Sequence, residues 1–264
     1  MPTAMINGFR MYYEVAGRGL PLLFVHGGLG GGNGSARFRQ HHMAELARYA
    51  EVIAFDRRAA GLSETPAAGY NFLSFVADLL ALLDHLERPR AVLMGTSAGG
   101  PQVLQAALMH PERVVGLILG STATQTVRVP PELAALITFL GTDGLTQLQA
   151  MLARPEAAPL VEAPAAALSP LGNFGGVLQT YLAYHLHGDS IAARLHEILA
   201  PALILHGTAD AEVAFAEAQR LQAGLPSASL VTFPQGGHGI MVTHAEAYRQ
   251  AIIPFLQSLA ATPP

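Results

Sequence analysis

The segment Gly95-Thr96-Ser97-Ala98-Gly99 has the pattern G-x-S-x-G, and its serine is the first residue whose surroundings suggest chemistry. The segment follows an apolar run, Ala91 to Met94, and precedes a helical stretch, so the serine would stand on a sharp strand-to-helix turn beside a helix N-terminus. Neighbours without bulk at Gly95 and Gly99 suit a close passage of the chain there. The same five residues also fit an ordinary turn with a capped helix, so a nucleophilic serine needs partners elsewhere in the chain.

Asp210 and His238 are the partners that the sequence offers to Ser97. Asp210 comes shortly after the apolar run Leu203 to Leu205, and His238 lies in a glycine-rich loop between the last apolar run and the final helical stretch. A neutral imidazole accepts the serine proton and returns it to a leaving group, while a carboxylate fixes the imidazole tautomer and stabilises the imidazolium. Singly, Asp210 also fits a turn or helix cap, and His238 a loop histidine. Their order, serine then acid then histidine, favours a catalytic triad.

Another glycine-rich segment, His26 to Gly30, follows the apolar run Pro21 to Val25. Small residues there let backbone N–H groups approach a substrate oxygen, so with the N–H of Ala98 they predict an oxyanion hole. The preferred donor from this loop is the N–H of Gly28, with Leu29 as the alternative donor and a candidate substrate contact. The other interpretation is a flexible turn without a catalytic role. No Gly-Lys-Ser/Thr follows and the Rossmann spacing is not met, which excludes a nucleotide site.

The order of apolar runs and helical stretches predicts an α/β fold. Asn7-Gly8 stands between the β-prone runs Thr3 to Ile6 and Phe9 to Val15, which is a hairpin signal because both residues tolerate positive φ. Further apolar runs suit strands buried on both faces, and stretches with helical spacing suit helices. The runs are Pro21 to Val25, Glu51 to Phe55, Ala91 to Met94, Val114 to Leu119, Ala202 to Leu205 and Leu230 to Phe233, and the helical stretches are Phe72 to Leu86, Ala98 to Met109 and Ala245 to Leu259. We therefore expect a mostly parallel sheet of about eight strands with helices on both faces.

Residues 121–190 break this alternation. They contain Pro130-Pro131 and an Ala/Pro-rich stretch around Arg154 to Pro170, with helical pieces but no convincing buried strand. We expect them to form a helical cap inserted into a core of residues 1–120 and 191–264. A disordered linker is the alternative, but four aromatic residues supply apolar anchors and are candidates to line a substrate pocket: Phe139, Phe174, Tyr181 and Tyr184.

Taken in order, these motifs resemble the α/β-hydrolase superfamily over essentially the whole chain. The resemblance rests on His26-Gly27-Gly28, the segment Phe55 to Ser63, the Ser97 motif, the Asp210 segment and the His238 loop. The sequence looks most like the cofactor-free haloperoxidase, esterase and C–C hydrolase group. That resemblance implies a Ser-Asp-His triad, an inserted helical cap, and ester or related acyl chemistry without a cofactor.

The sequence departs from these relatives in two respects. They commonly carry Arg-Gly-x-Gly after the strand that ends near Asp56, whereas this chain reads Arg57-Arg58-Ala59-Ala60-Gly61, so the role of the missing glycine is open. The chain has no tryptophan, although one often follows the oxyanion or nucleophile motif in peracid-forming and iminopeptidase relatives. Those two activities are therefore disfavoured. A serine in place of an aspartate at position 97 also disfavours epoxide hydrolysis and dehalogenation.

The composition limits the classes of function. Hydrophobic residues make up 51% of the 264 residues and charged residues 13%, which indicates a folded chain. A net charge of −4 without a Lys/Arg run argues against nucleic acid as a partner. Cysteine is absent, and the histidine pairs His41-His42 and His185/His187 lack a third ligand at recognised spacing, so no metal is expected. No signal peptide or membrane-length apolar run is apparent, so we expect a cytoplasmic protein that does not bind membranes.

The expected function is that of a carboxylesterase-like serine hydrolase, which cleaves small or medium acyl esters through an acyl-enzyme on Ser97. The same triad would also serve the hydrolysis of a C–C bond or a lactone. An alternative of another class is a hydrolase-fold receptor that binds a small molecule with little turnover. Arg57-Arg58 suit an ion-paired or solvated loop better than contact with an anionic substrate, and His206 suits a structural role. The sequence leaves the oligomeric state open.

Overall fold

An eight-stranded sheet forms the framework of the computed structural model, which describes residues 2–28, 33–66, 69–124, 147 and 191–261. The strands are β1 (Thr3–Ile6), β2 (Phe9–Ala16), β3 (Pro21–Val25), β4 (Glu51–Phe55), β5 (Ala91–Thr96), β6 (Val114–Gly120), β7 (Ala202–Gly207) and β8 (Ala228–Phe233). The helices are α1 (Ala36–Phe38), α2 (Ala44–Leu46), α3 (Phe72–His85), α4 (Gly99–Met109), α5 (Phe215–Gly224), α6 (Ile240–Thr243) and α7 (Ala245–Ala260). A π-helical turn, Arg39–Met43, joins α1 to α2, and 3₁₀ turns lie at Pro111–Arg113 and Leu195–Glu197.

The strands lie in the order β1-β2-β4-β3-β5-β6-β7-β8. β1 and β2 form the predicted antiparallel hairpin, in which Ile6 pairs with Phe9 across a turn where Asn7 and Gly8 have φ values of 46° and 84°. β2 is antiparallel to β4, and the neighbouring strands from β4 to β8 pair in parallel. The predicted α/β fold with a mostly parallel sheet of about eight strands is confirmed.

Alternate residues of each strand supply the two faces of the sheet, because successive side chains of a strand point to opposite sides. Leu23 and Val25 of β3 belong to the core cluster that contains residues of α3, α4 and α5. Leu22 and Phe24 of the same strand belong to the opposite cluster, with residues of α1, α2 and α7. Full burial of a side chain of this size contributes about 2 kcal/mol. The two clusters therefore hold the central strands firmly, with helices on both faces as predicted.

The parallel strands bring their carboxyl ends to one edge of the sheet, which is where open α/β sheets form ligand sites. The residues that follow these ends are His26 after β3, Asp56 after β4, Ser97 after β5, Ser121 after β6, Asp210 after β7 and His238 after β8. Segments far apart in the sequence thus contribute side chains to a single edge.

The predicted cap falls almost wholly outside the described residues, which omit 125–146 and 148–190. The division into a core of residues 1–120 and 191–264 and a cap of residues 121–190 therefore stays a prediction. In the part of the chain that the structure describes, no helix combines the length and the apolar character needed to cross a lipid bilayer.

Candidate active site

Ser97 stands on a strained turn between β5 and α4. Its φ is +49°, in the left-handed region that residues other than glycine rarely adopt. The Ser97 N–H donates to the Gly120 carbonyl at 2.9 Å, and the Ser97 carbonyl accepts from the Gly100 N–H at 3.0 Å and the Thr122 hydroxyl at 2.5 Å. These hydrogen bonds on both sides of the residue maintain the strained backbone. The result is the sharp strand-to-helix turn that the motif predicts.

The two glycines of the motif lie where the chain passes most closely. A Cβ atom on Gly95 would lie 2.6 Å from the Gly99 carbonyl oxygen, which is far inside van der Waals contact. A Cβ atom on Gly99 would collide with the carbonyl oxygen of Val25 at the end of β3. Both obstacles are backbone atoms that a rotamer change cannot move, so the turn requires residues without a side chain here, as expected from the sequence.

Ser97, His238 and Asp210 are joined by one chain of hydrogen bonds. His238 Nε2 lies 3.0 Å from Ser97 Oγ, and His238 Nδ1 lies 2.9 Å from Asp210 Oδ2. An ionised carboxylate only accepts, so Nδ1 donates to Asp210, and Nε2 of the neutral ring is then an acceptor for the serine hydroxyl. The side chain of Asp210 is fully buried, whereas that of His238 is 21% exposed. The fold thus brings together the three residues proposed from the sequence, in the tautomer that a general base needs.

The loop after β7 holds Asp210 in place. Asp210 Oδ1 accepts the backbone N–H groups of Glu212 at 2.8 Å and Val213 at 2.9 Å, which leaves Oδ2 for His238. His206 braces the same loop from β7, because its Nε2 donates to the Val213 carbonyl at 2.9 Å and lies 3.5 Å from Asp210 Oδ2. His206 is fully buried. These contacts support the structural role that we inferred for it from the sequence.

Gly27 and Gly28 run beside the serine, since a Cβ atom on Gly27 would lie 2.9 Å from Ser97 Cβ. The Arg57 guanidinium donates to the carbonyl oxygens of both glycines, at 3.1 Å to Gly27. His26 Nδ1 also donates to the Gly27 carbonyl, at 2.7 Å. In a trans peptide the C=O and the following N–H point in opposite directions. The Gly28 N–H therefore points away from Arg57.

His26 and Arg57 position this loop, and we did not assign that role to either from the sequence. The Arg57 N–H donates to His26 Nε2 at 3.0 Å, so Nε2 must stay unprotonated. Burial, assisted by the positive charge of Arg57, holds the pKa of His26 well below its ordinary value and keeps the ring neutral. Arg57 is only 5% exposed, so its guanidinium is buried against the loop and not solvated. Its acceptors are backbone carbonyls about thirty residues away, which no local pattern reveals.

The two predicted oxyanion donors, Gly28 and Ala98, belong to the elements that flank Ser97. Ala98 directly precedes α4, so its N–H belongs to the helix N-terminus, where the aligned peptide dipoles produce a positive partial charge. Leu29, the alternative donor, lies outside the described residues. The predicted lining residues of the cap also lie outside them: Phe139, Phe174, Tyr181 and Tyr184.

Asp56 is a second buried carboxylate at this edge, and it binds the two loops beside it. Asp56 Oδ1 accepts the N–H and the hydroxyl of Ser35 at 2.7 and 2.6 Å, and Oδ2 accepts the Leu62 N–H at 2.9 Å. Arg39 lies 3.8 Å from Oδ1. Asp56 therefore ties the loop before α1 to the loop after β4.

The loop after β4 also contains the residue that replaces the missing glycine. The Arg-Gly-x-Gly of relatives matches Arg58-Ala59-Ala60-Gly61, so Ala59 takes the place of the first glycine. The φ of Ala59 is +59°, a left-handed conformation that glycine adopts freely and alanine only with strain. At position 59 the chain therefore adopts a conformation that a glycine would favour, although the residue is alanine.

Arg58 is ion-paired, as we expected from the sequence. Its Nε and Nη2 atoms donate to the two carboxylate oxygens of Asp78 at 2.7 and 2.8 Å, and both side chains are at most 5% exposed. Asn7 of the β1–β2 turn donates to the same carboxylate at 2.9 Å. Asp78 of α3 therefore joins the β1–β2 turn to Arg58 in the loop after β4.

A cavity of about 640 Å³ opens beside Ser97 and His238, a size that suits a small-molecule substrate. Its described walls include the backbone of Gly27 and Gly28, the apolar side chains of Phe24, Phe38, Met241 and Val242, and the charged side chains of Arg37 and Glu212. Glu212 Oε2 lies 3.7 Å from His238 Nε2, which places a carboxylate near the ring nitrogen that faces the serine. We did not select Glu212 from the sequence, because only its position two residues after Asp210 set it apart.

The described residues contain no group of three or more His, Asp and Glu side chains that could hold a metal ion. His42, one member of the His41-His42 pair, donates from Nε2 to the Met241 carbonyl at 2.6 Å. Burial lowers the pKa of His42 to about 4, so its ring is neutral near pH 7. His42 thus links the π-helical turn to the segment that follows His238.

Residues 21–245 match a family model described as the alpha/beta hydrolase fold. RutD of Pseudomonas savastanoi pv. phaseolicola, which bears the name of a carbamate hydrolase, is 30% identical over 251 residues, covering 90% of this chain and 94% of that protein. The 2-hydroxymuconate semialdehyde hydrolase of Pseudomonas sp. is 30% identical over 258 residues, covering 94% of this chain and 91% of that protein.

Solved structures share the fold. The enol-lactonase from Burkholderia xenovorans LB400 superposes with a TM-score of 0.75 at 24% identity, covering 97% of this chain and all of that one. The similarity extends over nearly the whole length of each of these proteins. It agrees with the resemblance inferred from the sequence motifs.

Proposed function

Because the chain belongs to the α/β-hydrolase fold family, we propose that it is a serine hydrolase that cleaves small or medium acyl esters through an acyl-enzyme on Ser97. The observation that carries the proposal is the unbroken chain of hydrogen bonds from Ser97 Oγ through His238 to Asp210, at 3.0 and 2.9 Å. Nucleophile and base within hydrogen-bond reach, with the base oriented by a third group, are the arrangement that activates a serine.

In the proposed reaction, Ser97 Oγ attacks the ester carbonyl carbon while His238 Nε2 takes the hydroxyl proton. Asp210 holds the imidazole orientation and stabilises the imidazolium that forms. The N–H groups of Gly28 and Ala98 donate to the carbonyl oxygen as it becomes negative. His238 then returns the proton to the leaving alcohol, and the acyl group stays on Ser97. A water molecule, deprotonated by His238, releases the acid and restores the serine.

The test is hydrolysis of p-nitrophenyl acetate, butyrate and octanoate by the wild type and by Ser97→Ala, combined with mass spectrometry after a fluorophosphonate probe. We expect turnover and a phosphonyl adduct on Ser97, with kcat at least about 10⁴-fold lower in Ser97→Ala. Ser258→Ala, at an exposed position of α7, is the matched control and should keep full activity. Absence of both turnover and labelling in the wild type would contradict the proposal.

Hydrolysis of a C–C bond is the second candidate, and the name of the 30% identical 2-hydroxymuconate semialdehyde hydrolase favours it. The same triad serves ester, lactone and C–C cleavage on this fold, so fold alone does not choose among them. A panel of simple esters, lactones, diketones and carbamates separates the reactions, the carbamates being included because of the name of RutD. Fluorophosphonate labelling with ester kcat/KM far below that for a diketone would move the proposal to C–C hydrolysis.

A receptor with little turnover is the alternative of another class. Its signature would be Ser97 labelling and a ligand-induced rise in melting temperature, with a single slow turnover for every substrate in the panel. The intact hydrogen-bonded triad counts against it, because binding alone requires neither the histidine tautomer nor its carboxylate partner.

A further inference from the structure

Two buried hydroxyl groups in the cavity have no hydrogen-bond partner in the described part of the chain. They are Ser121 Oγ and Tyr248 OH, and both residues line the cavity that contains Ser97. Ser121 is 5% exposed and Tyr248 is completely buried. Buried polar groups in folded proteins almost always have a partner, so each unpaired one points to a ligand or an ordered water molecule.

Both residues lie near the end of β5, where Ser97 stands. Gly120 pairs with Thr96 across β6 and β5, so Ser121 and Ser97 each stand one residue beyond that pair. Adjacent strands are about 4.8 Å apart, which makes the two serines neighbours. The Tyr248 hydroxyl reaches from α7 to Gly120, because a Cβ atom on that glycine would collide with it. The unpaired hydroxyls therefore flank the residue whose carbonyl binds the Ser97 N–H.

The two residues are held rigidly. Ser121 has a φ of +45°, and its N–H donates to the Leu205 carbonyl at 2.9 Å. The Tyr248 ring packs against His42 and Phe233, with centroid distances of 5.5 and 5.9 Å. Burial also raises the pKa of Tyr248, so the phenol stays protonated and remains a hydrogen-bond donor. Fixed donors in an enclosed wall are pre-organised for a partner at a defined place.

We propose that Ser121 and Tyr248 form a subsite for a neutral oxygen of the substrate, a ketone, ether or hydroxyl oxygen a few bonds from the carbonyl that Ser97 attacks. This inference rests on the proposed function, since it specifies the substrate of the same site. Apolar side chains of Phe24, Phe38 and Met241 share the cavity wall. Arg37 and Glu212 also line the cavity, but a charged group placed against these two hydroxyls would exchange its hydration for neutral donors, so a neutral polar group fits better.

The experiment compares matched esters that differ by one oxygen. The acyl pairs are p-nitrophenyl 4-oxopentanoate against pentanoate and 5-oxohexanoate against hexanoate, and the alcohol pair is 2-methoxyethyl butyrate against butyl butyrate, followed in a pH-stat. The ratio of kcat/KM within each pair is measured for the wild type, Tyr248→Phe and Ser121→Ala. Tyr49→Phe, at a partly exposed tyrosine, is the control.

We expect the wild type to prefer the oxygen-bearing ester in at least one pair. Tyr248→Phe and Ser121→Ala should each reduce that preference about fivefold, since each removes one hydrogen bond to the added oxygen. Tyr49→Phe should leave the ratio unchanged. Equal ratios in the wild type and both variants would overturn the proposal and indicate that the two hydroxyls bind internal water only.

A binding measurement distinguishes failure of this inference from failure of the proposed function. In the Ser97→Ala background, calorimetric dissociation constants of the same ester pairs, with and without Tyr248→Phe, do not depend on turnover. If the wild type hydrolyses no ester but Tyr248→Phe still weakens only the oxygen-bearing member of a pair, the ester proposal fails and the subsite stands. If hydrolysis occurs and the dissociation constants show no such difference, the subsite fails alone.

Discussion

Asp56 and Asp210 are both buried carboxylates that follow parallel strands at the same edge of the sheet, yet they use their oxygens differently. Both oxygens of Asp56 accept from loops, namely from Ser35 and Leu62. Asp210 takes two loop amides on Oδ1 and keeps Oδ2 for His238. The difference indicates that Asp56 supports the fold around the site, whereas Asp210 supports the loop and also orients the proposed base.

The largest expected effect is on kcat and concerns Asp210, the carboxylate that we infer to orient the base. In Asp210→Asn, the amide oxygen keeps the two loop N–H bonds, but the NH₂ group faces His238 Nδ1 and reverses the tautomer, so Nε2 no longer accepts the serine proton. We expect kcat for p-nitrophenyl butyrate to fall about 10⁴-fold. The melting temperature, followed by circular dichroism, should change by only a few degrees. A fall in kcat of less than tenfold would show that Asp210 does not orient the base.

At Asp56 we expect the reverse, a loss of stability with kcat nearly unchanged. In Asp56→Asn, the amide leaves at least one of the three donors from Ser35 and Leu62 without an acceptor, and burial of unpaired groups destabilises the protein. We expect the free energy of unfolding, from urea denaturation, to fall by about 3 kcal/mol. At a temperature well below the transition, kcat should change only a few fold. If Asp56→Asn instead lost activity with its stability intact, the assignment of separate roles to the two carboxylates would be wrong.

His42 of the π-helical turn donates a hydrogen bond to Met241 in the segment after His238. Acidification should weaken this link. The folded pKa of His42, about 4, lies below the ordinary value of 6.5, so as pH falls the unfolded chain binds the proton first. The contribution of His42 to the free energy of unfolding is therefore fully present above pH 6.5. It falls on acidification, by about 3 kcal/mol at pH 4. His26 acts in the same direction, because its pKa is also lowered.

Urea denaturation at several pH values between 7 and 4 measures how much of the loss of stability on acidification is due to His42. His42→Gln, which can still donate to the Met241 carbonyl, should show a smaller loss of stability on acidification than the wild type. His196→Gln, at an exposed histidine, is the control and should follow the wild-type curve. Parallel curves for the wild type and His42→Gln would contradict the prediction.

The smallest effect concerns Ala59, in the loop that Asp56 anchors. Its φ of +59° costs alanine about 1 kcal/mol relative to glycine. Ala59→Gly should therefore raise the free energy of unfolding by up to about 1 kcal/mol without a change in kcat. Ala60→Gly is the matched control: its φ is not positive, so glycine there should lower stability. A destabilised Ala59→Gly would mean that the alanine methyl group contributes more through packing than its backbone strain removes.

The triad residues and the residues that position the loop of Gly27 and Gly28 differ in how far the sequence predicts them. The proposed triad of Ser97, Asp210 and His238 consists of side chains placed just after apolar runs, so pattern and order suffice to select them. The parallel sheet follows from the same alternation. His26 and Arg57 act on backbone carbonyls of a distant loop, and such partners depend on the tertiary path of the chain. Tyr248 fits the apolar spacing of α7, and only its position against Gly120 distinguishes its hydroxyl from those of other core tyrosines.

Ser97 and Ala59 share one conformation, since both are non-glycine residues with positive φ. At position 59 a mutation to glycine relieves the strain and leaves the proposed nucleophile in place. At position 97 the same mutation would relieve the strain and remove the reactive oxygen. Directed evolution that selects only for heat resistance would therefore favour glycine at both positions, and a screen for thermostable variants of this protein must score activity in every round to retain the serine.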